Sequence, residues 1–182
     1  QGIIVDTGSN CLPNKVTFVD HYHINQRGDE AYLISNKVKL GFGPSAENYL
    51  TYDYSYSGFS NAYDDGFRID ISNDCGYSWD SIYGASGANL ATTSYQSSVW
   101  YPTCDSWKTD SINLTSLGYN NDTIMIRFVA INDYGNQFYL DNVNIKGQNI
   151  LSNNNAKEND LTLYPNPNNG SFHVISKHRN LD

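Results

Sequence analysis

The stretch that decides the fold spans residues 48–56 and reads NYLTYDYSY. Apolar or aromatic residues fill every second position from Leu50 to Tyr56, and Thr, Asp and Ser fill the positions between them. Successive side chains of a strand point to opposite faces of its sheet. The stretch therefore predicts a strand whose leucine and tyrosines face a core.

The same two-residue period recurs along the chain, and turn residues such as those at 41–45 separate the runs. In the second run we expect Leu33 and Val38 to anchor the strand. Neither a long helical pattern nor an alternation of strands and helices is visible. Many short strands at close spacing predict an all-β fold, an antiparallel β-sandwich of the jelly-roll type. The runs cover residues 16–19, 31–40, 67–71, 81–83, 112–114, 124–129 and 138–145.

The amino-acid composition argues against nucleic acid and a membrane as partners of this chain. The 182 residues include 11 Lys and Arg against 19 Asp and Glu, and 14% of the chain is aromatic. A nucleic-acid binder needs a basic surface, so no nucleic acid is expected as a partner. Since no apolar run approaches about 20 residues, no membrane span is expected either.

The chain divides into four parts by pattern. Residues 1–28 form an opening segment that either precedes the sandwich or supplies its first strand. Residues 29–148 form the jelly roll, and 149–160 are a polar linker expected to be disordered. Residues 161–182 form a short β tail that cannot bury a core of its own. Because the chain opens at Gln1 without an apolar signal segment, we expect it to be a piece of a longer precursor.

The tail carries one resemblance. Residues 161–174 read LTLYPNPNNGSFHV, which resembles the opening of the C-terminal sorting domain of type IX secretion cargo. The resemblance implies a secreted or outer-surface protein that meets the type IX machinery through this tail. The sorting domain is expected to be truncated, because the chain ends at Asp182.

A second resemblance covers residues 32–145. The blocks LTYDYSY at 50–56, DGFRI at 65–69, SNDCG at 72–76 and GNQFYLDNV at 135–143 are similar to a MAM-like, cleaved-adhesin-like jelly roll. That module often follows the catalytic domain of pappalysin-type metalloproteases. The resemblance implies a non-catalytic module for adhesion or carbohydrate binding. The alternatives are an accessory C-terminal region of such a protease and a purely structural spacer.

One carboxylate is expected to face the core. The alternation places Asp141 on the face of Val143 and Ile145, where a charge must be paired, hydrogen-bonded or bound to a metal. Related jelly rolls hold a structural calcium near such an aspartate, and calcium takes six to eight oxygen ligands. The alternative is that the carboxylate caps loop amides without a metal. The predicted calcium ligands are Asp141, Asp29, Glu30 and Asp64 or Asp65.

No catalytic motif stands out. The chain lacks His-Glu-x-x-His, Gly-x-Ser-x-Gly and a phosphate-binding loop, so we expect no enzyme activity from it. His21 and His23 would lie on one face of a strand, where they either bind a metal or are solvated at an edge.

The cysteines allow one disulfide. The favoured pair is Cys75–Cys104, because both residues lie in turn-like sequence, and the alternative is three reduced thiols. Cys11 is then the cysteine left over.

Loop aromatics are the candidates for ligand contact. Tyr95, Trp100 and Tyr101 lie in a predicted loop, where exposed rings can stack on sugar faces. The alternative is that they pack in the core or at its rim. The expected ligand is a glycan or another cell-surface ligand.

Overall fold

The structure is a computed structural model that describes residues 2–5, 7–24, 26–41, 46–149, 161–164 and 173–176; side chains are described for 7–24, 26–41 and 47–147. The chain splits into two compact units, Gln1–Ile150 and Leu151–Asp182. In the described part of the chain, no helix is long and apolar enough to cross a membrane.

The first unit is built almost wholly from strands. A single-turn helix, α1 (Gly87–Leu90), and a 3-10 helix (Cys104–Ser106) lie in one long connection. The strands are β1 (Gly2–Val5), β2 (Asn14–Val19), β3 (Glu30–Ile34), β4 (Val38–Lys39), β5 (Ala46–Tyr56), β6 (Gly66–Ser72), β7 (Asp80–Ser86), β8 (Lys108–Asn113), β9 (Thr123–Ile131) and β10 (Phe138–Asn149).

Two antiparallel sheets form the sandwich. The first has the order β1-β2-β10-β5-β8, and the second has the order β3-β9-β6-β7, with β4 also paired to β9. The chain passes from one sheet to the other at most connections, and four strands of each sheet, β2-β10-β5-β8 and β3-β9-β6-β7, have the jelly-roll arrangement. The fold predicted from the sequence is confirmed.

The tyrosines of β5 fill the space between the sheets. Tyr52, Tyr54 and Tyr56 are fully buried, as the alternation predicts. They meet an aromatic layer from both sheets, in which the rings of Phe67 and Phe138 stack at 4.6 Å between centroids. Aromatic side chains bury 150–250 Å² each, which explains how a chain poor in leucine and methionine builds a core.

The opening residues belong to the sandwich. Strand β2 pairs with β10, with Phe18 opposite Tyr139, and β1 pairs with β2. In the second unit, β11 (Leu161–Tyr164) pairs antiparallel with β12 (His173–Ser176). Residues 165–172 of the sorting-domain motif and residues 150–160 of the linker lie outside the described residues.

The second predicted run is two strands. Residues 31–40 supply β3 and β4, which pair with different parts of β9. Leu33 is 40% exposed because β3 is an edge strand, so its prediction as an anchor is wrong. Val38 does pack against the core.

A β-bulge in β10 separates the face of Asp141 from the face of Ile145. Asp141 pairs with Asp53, but Asn144 pairs with Thr51, so three steps along β10 match two along β5. Asn142 supplies the irregular step with a φ of 46°. Leu140 and Ile145 therefore both contact the main core although they differ in parity. The prediction that Asp141 faces this core is wrong.

The predicted disulfide Cys75–Cys104 is also wrong, because Cys104 bonds to Cys11 and Cys75 is free and exposed. The 3-10 helix packs on the outer face of β5, where Ser55 Oγ donates to the carbonyl of Ser106 at 2.6 Å. The loop between β1 and β2 covers the same region, since Trp107 Nε1 donates to the carbonyl of the loop residue Thr7 at 3.1 Å.

Cys75 lies elsewhere in the sandwich. It occupies the turn between β6 and β7, which are neighbours in the second sheet. The prediction rested on the turn-like sequence around Cys75 and Cys104. Such a pattern does not indicate which turns lie close together, so it did not identify Cys11 as the partner of Cys104.

Candidate functional site at the loop end of the sandwich

Four connections meet at one end of the sandwich. In the first sheet, Phe138 at the start of β10 pairs with Val19 and Tyr56, the last residues of β2 and β5. In the second sheet, Gly66 at the start of β6 pairs with the last residues of β7 and β9. The connections are residues 20–29, 57–65, 87–107 and 132–137, here called the loop end.

The carboxylate of Asp65 accepts the main hydrogen bonds that hold the loop end together. This buried carboxylate accepts hydrogen bonds from the amides of Asp133 (2.6 Å), Gly135 (2.9 Å) and Asn136 (3.0 Å), and from the hydroxyl of Tyr56 (3.0 Å). Burial and the nearby charge of Asp65 raise the pKa of Tyr56 well above its ordinary value. Tyr56 therefore stays a neutral donor, and the carboxylate fixes the turn at 132–137 through charge-assisted bonds.

Two buried asparagines tie this turn to the other connections. Asn136 Nδ2 donates to the carbonyls of Gln96 and Ser98, at 2.8 and 2.9 Å. Asn132 Nδ2 donates to two carbonyls of the connection between β2 and β3, at 3.1 and 2.8 Å. Buried polar groups that are satisfied in this way hold a loop in one arrangement.

The two neighbouring histidines have different surroundings. His21 is 2% exposed, and burial lowers its pKa while the charge of Asp65 opposes the shift. His23 is exposed, and its Nδ1 lies 2.8 Å from a carboxylate oxygen of Asp20. Both follow β2 in a turn, so the expectation of histidines on a strand is wrong, and solvation applies only to His23.

Four aromatic side chains line an open cleft at the loop end. Tyr22, Phe59, Tyr63 and Tyr134, together with Gly135, enclose about 460 Å³. Successive ring centroids lie 6.1, 5.9 and 6.2 Å apart, with interplanar angles of 50°, 66° and 74°. We call this set the aromatic cleft. Sequence reasoning missed it because the rings come from three separate connections, although the pairs Tyr-Asp at 63–64 and Asp-Tyr at 133–134 were visible signals.

The predicted ligand residues separate in the structure. Tyr95 is 37% exposed and lines a shallow depression of about 510 Å³, and Tyr101 is 62% exposed. Trp100 is 8% exposed, and its ring lies edge-on to Tyr139 at 5.6 Å. Trp100 is therefore a packing residue, and the expectation that it offers a ring for stacking is wrong.

A glycine positions Tyr95. A Cβ at Gly58 would come within 2.6 Å of the Tyr95 ring, and Gln96 N donates to the Gly58 carbonyl at 2.9 Å. The backbone of the connection between β5 and β6 thus supports one side of the ring. Thr93 and Ser94 also line the depression.

The predicted calcium ligand Asp141 is satisfied by protein donors. It accepts from Ser9 Oγ (3.0 Å), Asn14 Nδ2 (2.9 Å) and its neighbour's amide, Asn142 N (2.8 Å). This arrangement corresponds to the alternative in which the carboxylate caps loop groups.

Two of the other predicted ligands use their carboxylates for other partners. Glu30 pairs with Arg68 at 3.3 Å, and Asp65 is saturated by the four donors described above. Asp64 lies against Gly87, while Asp29 accepts through its backbone carbonyl from Asn132 N. In the described part of the chain no three acidic, His or Cys side chains form a group that could hold a metal. The predicted set therefore does not fit one calcium site, and calcium binding stays a prediction.

Known folds provide a comparison for this architecture. The sandwich is similar to cleaved adhesin domains. The K1 cleaved adhesin domain of Lys-gingipain from Porphyromonas gingivalis W83 matches with a TM-score of 0.52 and 16% identity over 79% of each chain. The K3 domain of the same protein matches with a TM-score of 0.49 and 12% identity over 75% of each chain.

A more distant match is the glycoside hydrolase domain of Endo-D from Streptococcus pneumoniae R6. Its TM-score is 0.45 with 14% identity, over 80% of this chain and 20% of that one. No protein-family profile matches this chain, and no curated protein matches it. At these identities the likeness concerns the fold alone.

Proposed function

We propose that this protein is a non-catalytic, adhesion-type module of the cell exterior that binds a glycan at the loop end. The depression beside Tyr95 carries the proposal. It combines one supported aromatic ring with two hydroxyl-bearing lining residues, Thr93 and Ser94. Sugar recognition uses the same combination of an apolar face for stacking and polar groups for orientation.

Two further features support an exterior location. Disulfides form and persist in oxidising compartments, and Cys11–Cys104 joins segments that are 93 residues apart in sequence. The fold is that of cleaved adhesin domains. Export through the type IX machinery, with the tail as its signal, rests on the motif at residues 161–174.

The test is binding of the purified protein to a glycan array, followed by pull-down with the polysaccharides that score. Tyr95→Ala should weaken binding by at least about tenfold, because anchoring aromatics contribute more than about 1.4 kcal/mol to recognition. Gly58→Ala should weaken it too, because the added methyl displaces the ring without removing it.

The matched control is Tyr77→Ala. Tyr77 is 93% exposed in the turn between β6 and β7, away from the loop end. Absence of binding to any glycan would contradict the proposal and favour a structural spacer. Equal loss in the Tyr77 variant would contradict the assignment of the site to the depression beside Tyr95.

A second candidate role is that of an accessory region beside a pappalysin-type catalytic domain. The sequence blocks at 50–56 and 135–143 favour it. Reading the gene upstream of this chain tests it, because such a protease carries His-Glu-x-x-His.

A further inference from the structure

We propose that the aromatic cleft is a second binding site, separate from the depression beside Tyr95, and that it takes an organic cation bearing a trimethylammonium group. The proposal rests on the geometry of the four rings and on the charge of the connections that carry them. It extends the adhesion role but does not require glycan binding.

The rings are arranged as walls and not as a flat platform. Each successive pair from Tyr22 through Phe59 and Tyr63 to Tyr134 is turned by 50–74°. A sugar stacks on one ring face, whereas a rounded cation contacts several faces at once. Cation–π attraction acts within about 6 Å of a ring centroid, and neighbouring centroids here are 5.9–6.2 Å apart. One bound cation can therefore contact two or more rings.

The cleft is fixed in shape before a ligand arrives. Gly135 at its base donates to Asp65, and Asp64 N donates to Asp133 Oδ2 at 3.0 Å. The second bond joins the residue after Tyr63 to the residue before Tyr134. Preformed sites lose less conformational entropy on binding, which suits a small ligand with few hydrogen-bonding groups.

The surrounding charge favours a cation. The three connections that line the cleft, residues 20–29, 57–65 and 132–137, hold five aspartates and one arginine. That arginine, Arg27, is engaged by Asp133, with Nη2 3.1 Å from Oδ2. The side chains that line the cleft include no lysine or arginine. The net negative charge of these connections would repel an anion, and it would not attract a neutral ligand.

The size of the cleft fits this ligand class. At about 460 Å³ it lies in the range of small-molecule sites, about 300–1,000 Å³. Its open mouth leaves room for the rest of a larger molecule that carries the cationic group. A trimethylammonium group displayed on a surface could therefore enter with its tether directed outward.

The experiment titrates the full chain with choline chloride and follows the tyrosine ring signals by NMR. The neutral analogue, in which a tert-butyl group replaces trimethylammonium, is titrated in parallel. We expect saturable choline binding that weakens at least about fivefold in Tyr63→Leu and in Tyr134→Leu, the loss of roughly one cation–π contact. Tyr77→Leu should bind choline like the wild type, and the melting temperature of each variant reports on folding.

Two further experiments distinguish a lipid headgroup from a free cation, and the aromatic cleft from the depression beside Tyr95. Co-sedimentation with phosphatidylcholine vesicles shows whether a lipid headgroup enters the cleft or only a free cation does; either outcome with choline binding supports the proposal. Glycan binding should survive Tyr63→Leu, and choline binding should survive Tyr95→Ala, so failure of one proposal is distinguishable from failure of the other. Equal binding of the neutral analogue, or no choline binding by the folded wild type, would overturn the proposal.

Discussion

Removing the Cys11–Cys104 disulfide should be among the most destabilising changes available at the surface of this protein. The bond joins residues 93 positions apart, and chain-entropy arguments give about 4.7 kcal/mol for a loop of about 100 residues. Measured losses for small secreted domains are roughly 2–5 kcal/mol. We therefore expect Cys11→Ser combined with Cys104→Ser to lower the free energy of unfolding by that amount.

The assay is urea unfolding of the double variant, the wild type and Cys75→Ser. Cys75 is free and exposed, so its substitution should change the free energy of unfolding by less than about 0.5 kcal/mol. The double variant should also show a larger m-value, because its unfolded chain is no longer held by the cross-link and exposes more surface.

Peptide mapping without reductant tests the connectivity directly. A linked peptide pair containing Cys11 and Cys104 is expected. A pair containing Cys75 and Cys104, or a double variant as stable as the wild type, would refute the reasoning that the loop between β1 and β2 packs on the outer face of β5.

Three other predictions concern buried charge, pH and calcium. Asp65→Asn should lower the free energy of unfolding by about 3–5 kcal/mol, because it removes the charge that accepts four hydrogen bonds. Tyr56→Phe removes only one of these bonds and should lower it by about 1 kcal/mol. Equal losses of the two variants in urea unfolding would contradict the central role of the Asp65 carboxylate. The pKa of His21 is lower in the folded protein than its ordinary value of 6.5. As the pH falls through about 6.5, the unfolded chain therefore binds a proton at His21 more readily than the folded protein does. Stability should thus fall from pH 7 to pH 5, and His21→Gln should flatten that dependence; an unchanged slope would count against it. If the folded protein binds calcium, a chelator should lower its melting temperature, and an identical melting curve would refute the calcium prediction.

The sequence predicted which side chains face the core wherever the strand is regular. In β5 each residue from Leu50 to Tyr56 occupies the face that its parity indicates, because the strand is regular there and is paired on both sides, with β10 and β8. Parity failed in β10, where one extra residue near Asn142 reverses the faces beyond it. The bulge shows in the sequence only as a shift of the apolar positions from even, at Leu140, to odd, at Ile145. Tyr139 beside Leu140 obscures that shift, so the surroundings of Asp141 were not predicted.

The candidate sites were less accessible to sequence reasoning. Tyr95 and Tyr101 are exposed loop aromatics as expected, but Trp100 shows that a loop residue can still be buried by the strand beneath it. The aromatic cleft depends on ring contacts between residues 37 and 71 positions apart in sequence. Such contacts follow from sheet order, which period-two patterns do not specify.

The hydrogen bonds of Asp65 link the two proposed sites at this end of the sandwich. Its carboxylate holds the turn at 132–137, and through Asn136 that turn holds the connection that carries Tyr95. The same turn carries Tyr134 and Gly135 of the aromatic cleft. Because one buried charge orders both, loosening it should impair both sites together, whereas truncating a single ring should impair only its own. Asp65→Asn at a temperature where it remains folded would therefore weaken glycan and choline binding alike, and loss of one without the other would show that the two sites are ordered independently.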